Sequence, residues 1–318
     1  MALPTLRQLE YIVTVAEEGS FVKASKICSV SQPALSKQIQ EVESLLGITI
    51  FERARPRTRV TQAGAPIVEQ ARVVLREARE LTHVAAQLQE GSTCSIHLGV
   101  IPTISPYLLP ILLEALQEEK PNWRVFLHED QTDNLLQSLE KGEVDVLLLA
   151  LPVPGKGLVS LPLFEDPFVL VSPSQHPLSQ VDMLKNKMLK EHTLMLMEEG
   201  HCFRDQALEV CSSVGAVENL QIRAASLTTL SLMVQQGIGA TLMPAISLPF
   251  EKMDPKKTVI RSFERKPPSR VLGLVWRNSS VLQKEYQELG ALLKTIIPDL
   301  MDDMPGFIQG PEPDFNML

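Results

Sequence analysis

The sequence predicts an α/β protein in which a winged helix-turn-helix and a long linker helix precede a larger α/β domain. Helical periodicity with capping residues fills the first 46 residues, an apolar heptad repeat follows, and strands alternate with helices from residue 94 onward. The predicted boundaries are 1–61 for the winged helix-turn-helix domain, 62–93 for the linker helix and hinge, 94–299 for the α/β domain, and 300–318 for a disordered tail.

The composition is that of an ordinary globular chain, with 318 residues of which 44% are hydrophobic and 21% charged. Neither a signal peptide nor a membrane-spanning apolar run is evident, so a cytoplasmic location is expected. Residues 1–60 hold 8 Lys and Arg against 6 Asp and Glu, a net charge of +2, and the remainder holds 22 against 32, a net of −10. A basic N-terminal segment followed by an acidic remainder is typical of a nucleic-acid-binding module attached to a domain with a different function.

Three helices are predicted at the N-terminus. The first follows the N-cap Thr5 and ends at Gly19-Ser20, and the second runs from Phe21 to Cys28. Ser31 caps the third, Gln32 to Leu46, with a proline tolerated in its first turn. Two helices joined by a tight turn predict a helix-turn-helix.

The second helix of such a motif enters the major groove with its N-terminus first. The residues predicted to contact DNA from this end are Ser31, Gln32, Pro33, Ser36 and Lys37, and Gln32, Ser36 and Lys37 are expected to project their polar groups toward bases and phosphates.

Residues 49–60 are predicted to form two short strands around a basic turn, a wing whose Arg53, Arg55 and Arg57 contact phosphate or the minor groove. The alternative for these arginines is a solvated surface loop.

These residues resemble the winged helix-turn-helix of LysR-type transcriptional regulators. The matching pieces are Leu9-Glu10-Tyr11, Gly19-Ser20-Phe21, Ala24, Ser31-Gln32-Pro33-Ala34-Leu35-Ser36, Leu45-Leu46-Gly47, Phe51-Glu52-Arg53 and Thr61-Gln62-Ala63-Gly64. Together they form a specific signature, although each alone is weak.

Residues 62–90 carry apolar side chains at alternating spacings of four and three: Ile67, Ala71, Val74, Ala78, Leu81, Ala85 and Leu88. A heptad seam of this kind predicts a helix that pairs with the same helix of a second chain. The alternative is a helix packed against its own domain. Gly91-Ser92-Thr93 is expected to end the helix as a hinge.

From residue 94 the predicted strands are 95–101, 124–128, 144–151, 168–172, 193–197, 222–225, 240–243, 258–263 and 271–276, and the predicted helices are 107–119, 134–141, 204–214, 227–236 and 281–297. This alternation predicts parallel-rich sheets, and Pro-rich linkers near 152–167 and 264–268 suggest two lobes with a cleft between them. Ligands in such folds lie at the carboxyl ends of strands and at helix N-termini. Thr103 and Thr132 occupy two such corners, where the alternative role for each hydroxyl is a helix cap.

The chain has four cysteines, Cys28, Cys94, Cys202 and Cys211, and their scatter gives zinc little support. His201 and Arg204 flank Cys202 at a predicted helix start, where positive charge favours a thiolate. If residues 203–211 are helical, the Cα atoms of Cys202 and Cys211 lie roughly 13 Å apart, well beyond disulfide range. The pair can therefore bridge only if this helix unwinds. The alternative is two unrelated cysteines.

The regulatory half is similar to that of the hydrogen-peroxide sensors of the LysR family. The resemblance as a whole covers roughly residues 3–297. The matching pieces are Leu194 to Ala207, Ile101-Pro102-Thr103, Tyr107-Leu108-Leu109-Pro110, His128-Glu129, Gln131-Thr132, Gly237-Ile238-Gly239 and Gly273-Leu274-Val275-Trp276-Arg277. The resemblance implies a periplasmic-binding-protein-like regulatory domain with Cys202 as the peroxide-reactive cysteine and Cys211 as the resolving one. It also implies a peroxide site lined by Thr103, Thr132, His201, Arg204, Asp205 and Arg270.

The implied protein is a cytoplasmic homotetrameric activator without cofactor or metal, whose partners are promoter DNA, hydrogen peroxide, a cellular thiol reductant and RNA polymerase. Two alternatives stay open. One is a LysR-type regulator with a small organic effector in its cleft, and the other is a thiol peroxidase, which would need neither helix-turn-helix nor heptad seam.

Overall fold

The computed structural model describes residues 3–52, 57–87, 93–190, 192–264 and 267–302. The chain divides into two compact units, residues 1–90 and 91–318, each of which is described by itself. None of the helices in these ranges is both long and apolar enough to cross a membrane.

The first unit is a helix-turn-helix with a two-stranded wing. Its elements are α1 (Leu6–Glu18), α2 (Phe21–Ile27), α3 (Gln32–Leu46), β1 (Phe51–Glu52), β2 (Arg59–Val60) and α4 (Ala65–Gln87). The predicted caps are present, since the hydroxyls of Thr5, Ser20 and Ser31 each accept a hydrogen bond from a backbone N–H of the following turn. Gly19 and Gly47, both with positive φ, end α1 and α3.

The N-terminal turn of α3 presents most of the predicted DNA-contacting residues to solvent. Ser31, Gln32, Pro33 and Lys37 are exposed. The expectation that Ser36 projects outward is wrong, because this residue is only 8% exposed. It lies on the buried stripe of α3, between Leu35 and Ile39 of the core.

The wing forms as predicted by antiparallel pairing of Phe51 with Val60 and of Glu52 with Arg59. Phe51 is buried edge-on against Phe21 of α2, with ring centroids 5.8 Å apart, which fixes the base of the wing. Arg57 is exposed, whereas Arg53 and Arg55 lie outside the described residues.

The residues of the predicted heptad seam differ in burial along helix α4. Ile67 and Ala71 pack into the core of the first unit, as the alternative interpretation expected. Val74, Leu81 and Ala85 are exposed, Leu81 by 69%. The pairing of two such helices therefore stays a prediction that rests on the second half of α4.

The second unit is built on a nine-stranded mixed sheet. Its elements are β3 (Cys94–Val100), α5 (Ser105–Glu119), β4 (Trp123–Glu129), α6 (Thr132–Lys141), β5 (Val146–Leu151), β6 (Leu158–Pro173), β7 (Thr193–Met197), α7 (Cys202–Val214), β8 (Val217–Ala224), α8 (Leu227–Gln235), β9 (Ala240–Pro244), β10 (Thr258–Arg261), β11 (Ser269–Arg277) and α9 (Gln283–Asp302). The strand order is β4-β3-β5-β11-β6-β9-β7-β8, with β10 beside β6.

Strand β6 joins two halves of this sheet. Up to Pro167 it pairs with β11, and from Phe168 onward it pairs with β9 and β10. The first half contains β3, β4 and β5 with parallel pairing between neighbours, and the second contains β7, β8 and β9, also parallel. The interpretation of residues 152–167 as a linker is therefore wrong from Leu158 onward, because a long strand absorbs Pro162 and Pro167 at points where it changes register or partner.

The ends of the second unit also differ from expectation. Helix α9 continues through Pro298 to Asp302, because a proline in a last turn removes few backbone hydrogen bonds. The predicted tail from 303 onward and the glycine and serine of the predicted hinge lie outside the described residues.

Candidate functional site

Three loops at the carboxyl ends of strands meet at one small crevice. The loop after β3 contributes Ile101, Pro102 and Thr103, the loop after β4 contributes Gln131 and Thr132, and the loop after β7 contributes Gly200, His201 and Cys202. Loops from both halves of the sheet thus line a narrow, partly open crevice with no measurable volume free for a water-sized molecule. Organic ligands usually occupy clefts of about 300 Å³ or more, so this crevice is far too small for one.

Both cysteines of the candidate pair lie in α7. Cys202 is its first residue, half-buried at the crevice, and Cys211 is buried two and a half turns later. Both are free thiols, and an intact α7 holds their Cα atoms roughly 13 Å apart, too far for a disulfide. The position of Cys202 at a helix N-terminus favours negative charge there.

Thr103 is fixed from behind by a buried ion pair. Arg270 donates from Nη1 to Thr103 Oγ1 at 2.8 Å and from Nη2 to the Thr103 carbonyl oxygen at 3.2 Å. Its Nε donates to Asp166 Oδ2 at 2.9 Å, and both charged side chains are fully buried. Burial raises the pKa of Asp166, although the Arg270 guanidinium and the backbone N–H of Ile246 oppose this rise.

Arg270 also reaches α7. Its guanidinium lies over the ring of Phe203, 5.4 Å from the centroid, and Phe203 packs edge-on against Phe168 of β6. The residue next to Cys202 therefore touches the same arginine that holds Thr103. A movement of the first turn of α7 would disturb this contact.

Among the described residues, three buried polar atoms in the crevice or in the first turns of α7 have no hydrogen-bond partner. They are Thr132 Oγ1, Arg204 Nε and Gln206 Oε1. Such atoms are costly to bury unsatisfied, and Thr132 Oγ1, which belongs to the crevice, is therefore a candidate partner for a small polar ligand. Neither Thr103 nor Thr132 acts as a helix cap, because Ile104 and Gln131 occupy the cap positions of α5 and α6.

Arg204 and Asp205 do not line the crevice. Arg204 Nη2 donates to both carboxylate oxygens of Glu218 on β8, at 3.0 and 3.3 Å, so that this carboxylate holds its guanidinium. The carboxylate of Asp205 is 74% exposed. His201, in contrast, lines the crevice and is buried. In the part of the chain that the structure describes, no group of three His, Cys, Asp or Glu side chains could hold a metal ion.

Two family descriptions match this chain. The bacterial regulatory helix-turn-helix protein of the lysR family matches residues 6–65, and the LysR substrate binding domain matches residues 89–296. The chain belongs to the LysR family.

Similar proteins share nearly the full length of this LysR-family chain. The DNA-binding transcriptional dual regulator OxyR of Escherichia coli K12 is 38% identical over 289 residues, 91% of this chain and 94% of its own. A full-length OxyR variant from Pseudomonas aeruginosa has a TM-score of 0.70 at 32% identity, covering 92% of this chain and 98% of its own. A hydrogen-peroxide-bound OxyR variant from Corynebacterium glutamicum has a TM-score of 0.63 at 33% identity, and the match covers 95% of this chain and 97% of its own.

The motif signature read from the sequence is thus confirmed as that of a LysR-type regulator. Gln131 and Gly200 line the crevice, Gln206 lies one helical turn after Cys202, and all three were absent from the predicted set. Gly200 and Gln131 lay beside predicted residues, and the helical spacing of four from Cys202 could have indicated Gln206. The pairing of Arg270 with Asp166, 104 residues apart, had no local signal.

The backbone conformation of Gly200 shapes the loop that carries Cys202. Gly200 has φ +95°, and a Cβ atom here would displace the side-chain amide of Gln131. We expect Gly200→Ala to cost about 1–3 kcal/mol in unfolding free energy and to displace the loop, as measured by urea unfolding and by alkylation of Cys202. Gly237→Ala is the matched control, because Gly237 has a similar φ of +77° with no atom near its Cβ position. Equal effects of both substitutions would contradict a role for the Gln131 contact.

The thiol of Cys211 is held in its protonated form. Burial raises its pKa to about 11, with a further contribution from the charge of Glu218. We expect alkylation of Cys211 in the reduced protein to rise about tenfold per pH unit between pH 7 and 10, measured by peptide mass spectrometry. The raised pKa also means that this thiol favours the folded state below pH 9, and that this contribution is lost as the pH rises through about 11. A rate that levels off below pH 9 would contradict the burial argument.

Proposed function

We propose that this LysR-family chain is a transcriptional regulator that senses hydrogen peroxide by a reversible disulfide between Cys202 and Cys211. The observation that carries the proposal is the crevice, which combines a thiol at a helix N-terminus with an unpartnered threonine hydroxyl. Its narrowness argues against an organic effector. Relatives named as regulators of this kind, one of them solved with hydrogen peroxide bound, support the same conclusion.

The chemistry proceeds in two balanced steps. The Cys202 thiolate attacks one oxygen of hydrogen peroxide, the O–O bond breaks, and hydroxide leaves, so that the sulfur becomes a sulfenic acid. The hydroxyls of Thr103 and Thr132 form hydrogen bonds with the bound peroxide and stabilise charge on the leaving oxygen. The sulfur of Cys211 then displaces water from the sulfenic acid, its proton leaving with the water, and a disulfide forms.

The second step links the chemistry to DNA binding. Because an intact α7 separates the two cysteines, the bond forms only when part of this helix unwinds. The first turn of α7 then leaves its contacts with Arg270, and the second unit changes shape. We infer that this change alters how the subunits of a homotetramer place their α3 helices and wings on promoter DNA.

The remaining partners follow from the same proposal. A cellular dithiol reductant restores Cys202 and Cys211 by thiol–disulfide exchange, and RNA polymerase is the target of activation at the promoter. The protein acts in the cytoplasm, where the DNA lies, and consumes peroxide as a signal rather than as a substrate.

The direct test treats reduced protein with about one equivalent of hydrogen peroxide and maps its thiols by peptide mass spectrometry. The proposal predicts a Cys202–Cys211 crosslink together with an altered footprint on promoter DNA. Free Cys202 and Cys211 after treatment would contradict it and direct attention to an organic effector. Continued peroxide consumption with a dithiol, far beyond one equivalent per subunit, would instead indicate a peroxidase.

A further inference from the structure

A buried carboxylate outside the crevice is held by hydroxyl groups. Glu251 is 8% exposed, and its Oε1 accepts hydrogen bonds from the Tyr107 hydroxyl at 2.8 Å and from Thr228 Oγ1 at 2.9 Å. Its Oε2 accepts one from Ser231 Oγ at 2.9 Å. Buried carboxylates are usually paired with a cation, so a set of three hydroxyl donors is an unusual way to satisfy one.

The donors come from opposite halves of the sheet. Thr228 and Ser231 both lie on α8, and the side-chain amide of Gln235 on the same helix bonds the backbone of Lys252 and Asp254. The segment that carries Glu251 is therefore attached to α8 and to the second half.

Tyr107 belongs to the first half, because it lies on α5, directly after β3. Strands β5, β11 and β6 separate β3 from β9, which follows α8. The hydrogen bond from Tyr107 to Glu251 thus connects the two halves, across 144 residues of sequence.

Tyr107 is suited to a permanent donor role. It is 4% exposed, with its ring 5.6 Å from that of Phe250. Burial, and after it the negative charge of Glu251, raises the pKa of Tyr107. The phenol therefore keeps its proton throughout the range in which a cell operates.

This bond is linked to one wall of the crevice through the first turn of α5. Tyr107 is one helical turn after Thr103, and its backbone N–H donates to the carbonyl of Ile104 at 3.0 Å. Whatever fixes Tyr107 fixes the first turn of α5 and with it the loop of Thr103. The opposite wall, Gly200 to Cys202, follows β7 in the half that contains α8.

We propose that Tyr107 and Glu251 form a hydrogen-bonded bridge between the two halves that sets the distance of Thr103 from Cys202, and hence the rate at which Cys202 reacts with peroxide. The inference rests on the proposed peroxide-sensing function. Tyr107 and Glu251 are positioning residues here, since neither lines the crevice.

The test compares Tyr107→Phe with Thr228→Val in the full-length protein. Both remove a hydroxyl donor from the same oxygen of Glu251, but only Tyr107→Phe cuts the connection between halves. We expect Tyr107→Phe to slow the reaction of Cys202 with hydrogen peroxide by about ten- to a hundredfold, because small misplacements in a site have effects of this size. The reaction rate of Thr228→Val should stay within about twofold of that of the unsubstituted protein, because this substitution leaves the Tyr107–Glu251 bond in place.

A second variant separates positioning from loss of stability. Glu251→Gln keeps an oxygen that accepts from Tyr107 and an amide that donates to Ser231, so it should retain the original rate. Equal rates for Tyr107→Phe and the unsubstituted protein, or equal slowing by Thr228→Val, would overturn the bridge.

Hydrogen exchange distinguishes failure of the bridge from failure of the proposed function. If the unsubstituted protein does not react with peroxide, the proposed function fails, and the bridge is then judged by amide exchange in residues 101–108. Faster exchange there in Tyr107→Phe than in Thr228→Val supports the bridge, and unchanged exchange overturns it.

Discussion

Replacement of Cys202 by serine is expected to abolish the response to peroxide completely. A serine hydroxyl at this position is a far weaker nucleophile than a thiolate, so neither the sulfenic acid nor the disulfide can form. The variant should fold normally, because the half-buried Cys202 side chain is replaced by one of similar size. Peptide mapping after peroxide treatment, together with transcription from a target promoter, measures the loss.

The chain supplies its own controls for this substitution. Cys28 is buried in the core of the first unit, and burial raises the pKa of Cys94 to about 11. Cys28→Ser and Cys94→Ser are therefore expected to keep the peroxide-dependent crosslink. Its loss in either variant would mean that the reactive pair has been assigned to the wrong thiols.

Arg270→Met is expected to destabilise the second unit by about 3–5 kcal/mol, since it leaves Asp166 as a buried and unpaired charge. Both side chains are fully buried, and the arginine also holds Thr103 and lies over Phe203. Urea unfolding measures the loss. The same variant should also react slowly with peroxide, because the wall that carries Thr103 loses its support.

The pH dependence of this variant has a defined sign. Burial raises the pKa of Asp166, so its protonated form is favoured in the folded state at low pH, and this contribution is lost as the pH rises through the raised value. Because Arg270 lowers the pKa of Asp166, its removal raises that pKa further, and the deficit of Arg270→Met should be larger at high pH than at low pH. Asp166→Asn combined with Arg270→Met should recover much of the stability and remove this dependence. A deficit independent of pH would contradict the ion-pair explanation.

Local patterns were sufficient to predict much of the fold. Capping residues such as Thr5 and Ser31 gave helix starts to the residue, because a side-chain cap is an interaction within one turn. Helical periodicity also predicted the helix over 204–214 with Cys202 just before it, and in the structure this helix begins at Cys202. Each of these features depends on neighbours in sequence.

Features that depend on distant residues were not predictable. The guanidinium of Arg204 was expected at the peroxide site, but Glu218 on β8 binds it instead. Ser36 was expected to face DNA, but the packing of α3 against its neighbours buries it. Strand β6 resembled a linker because prolines interrupt it, and only its pairing with β11 shows that it continues.

The structure gives the proposed sensor a physical basis in α7. One continuous helix keeps the two thiols apart, so the reduced state is stabilised by the backbone hydrogen bonds and side-chain contacts of that helix. The disulfide replaces these interactions with a covalent bond. The signal is thus a choice between two local structures of the same segment, which is the bistable element that a switch requires.

Amide hydrogen exchange across α7, before and after one equivalent of peroxide, tests this choice most directly. The account predicts that residues 203–211 are protected in the reduced protein and lose protection when the Cys202–Cys211 bond forms, while α6 stays protected. A disulfide that forms with α7 still fully protected, or exchange that does not change with peroxide, would contradict it.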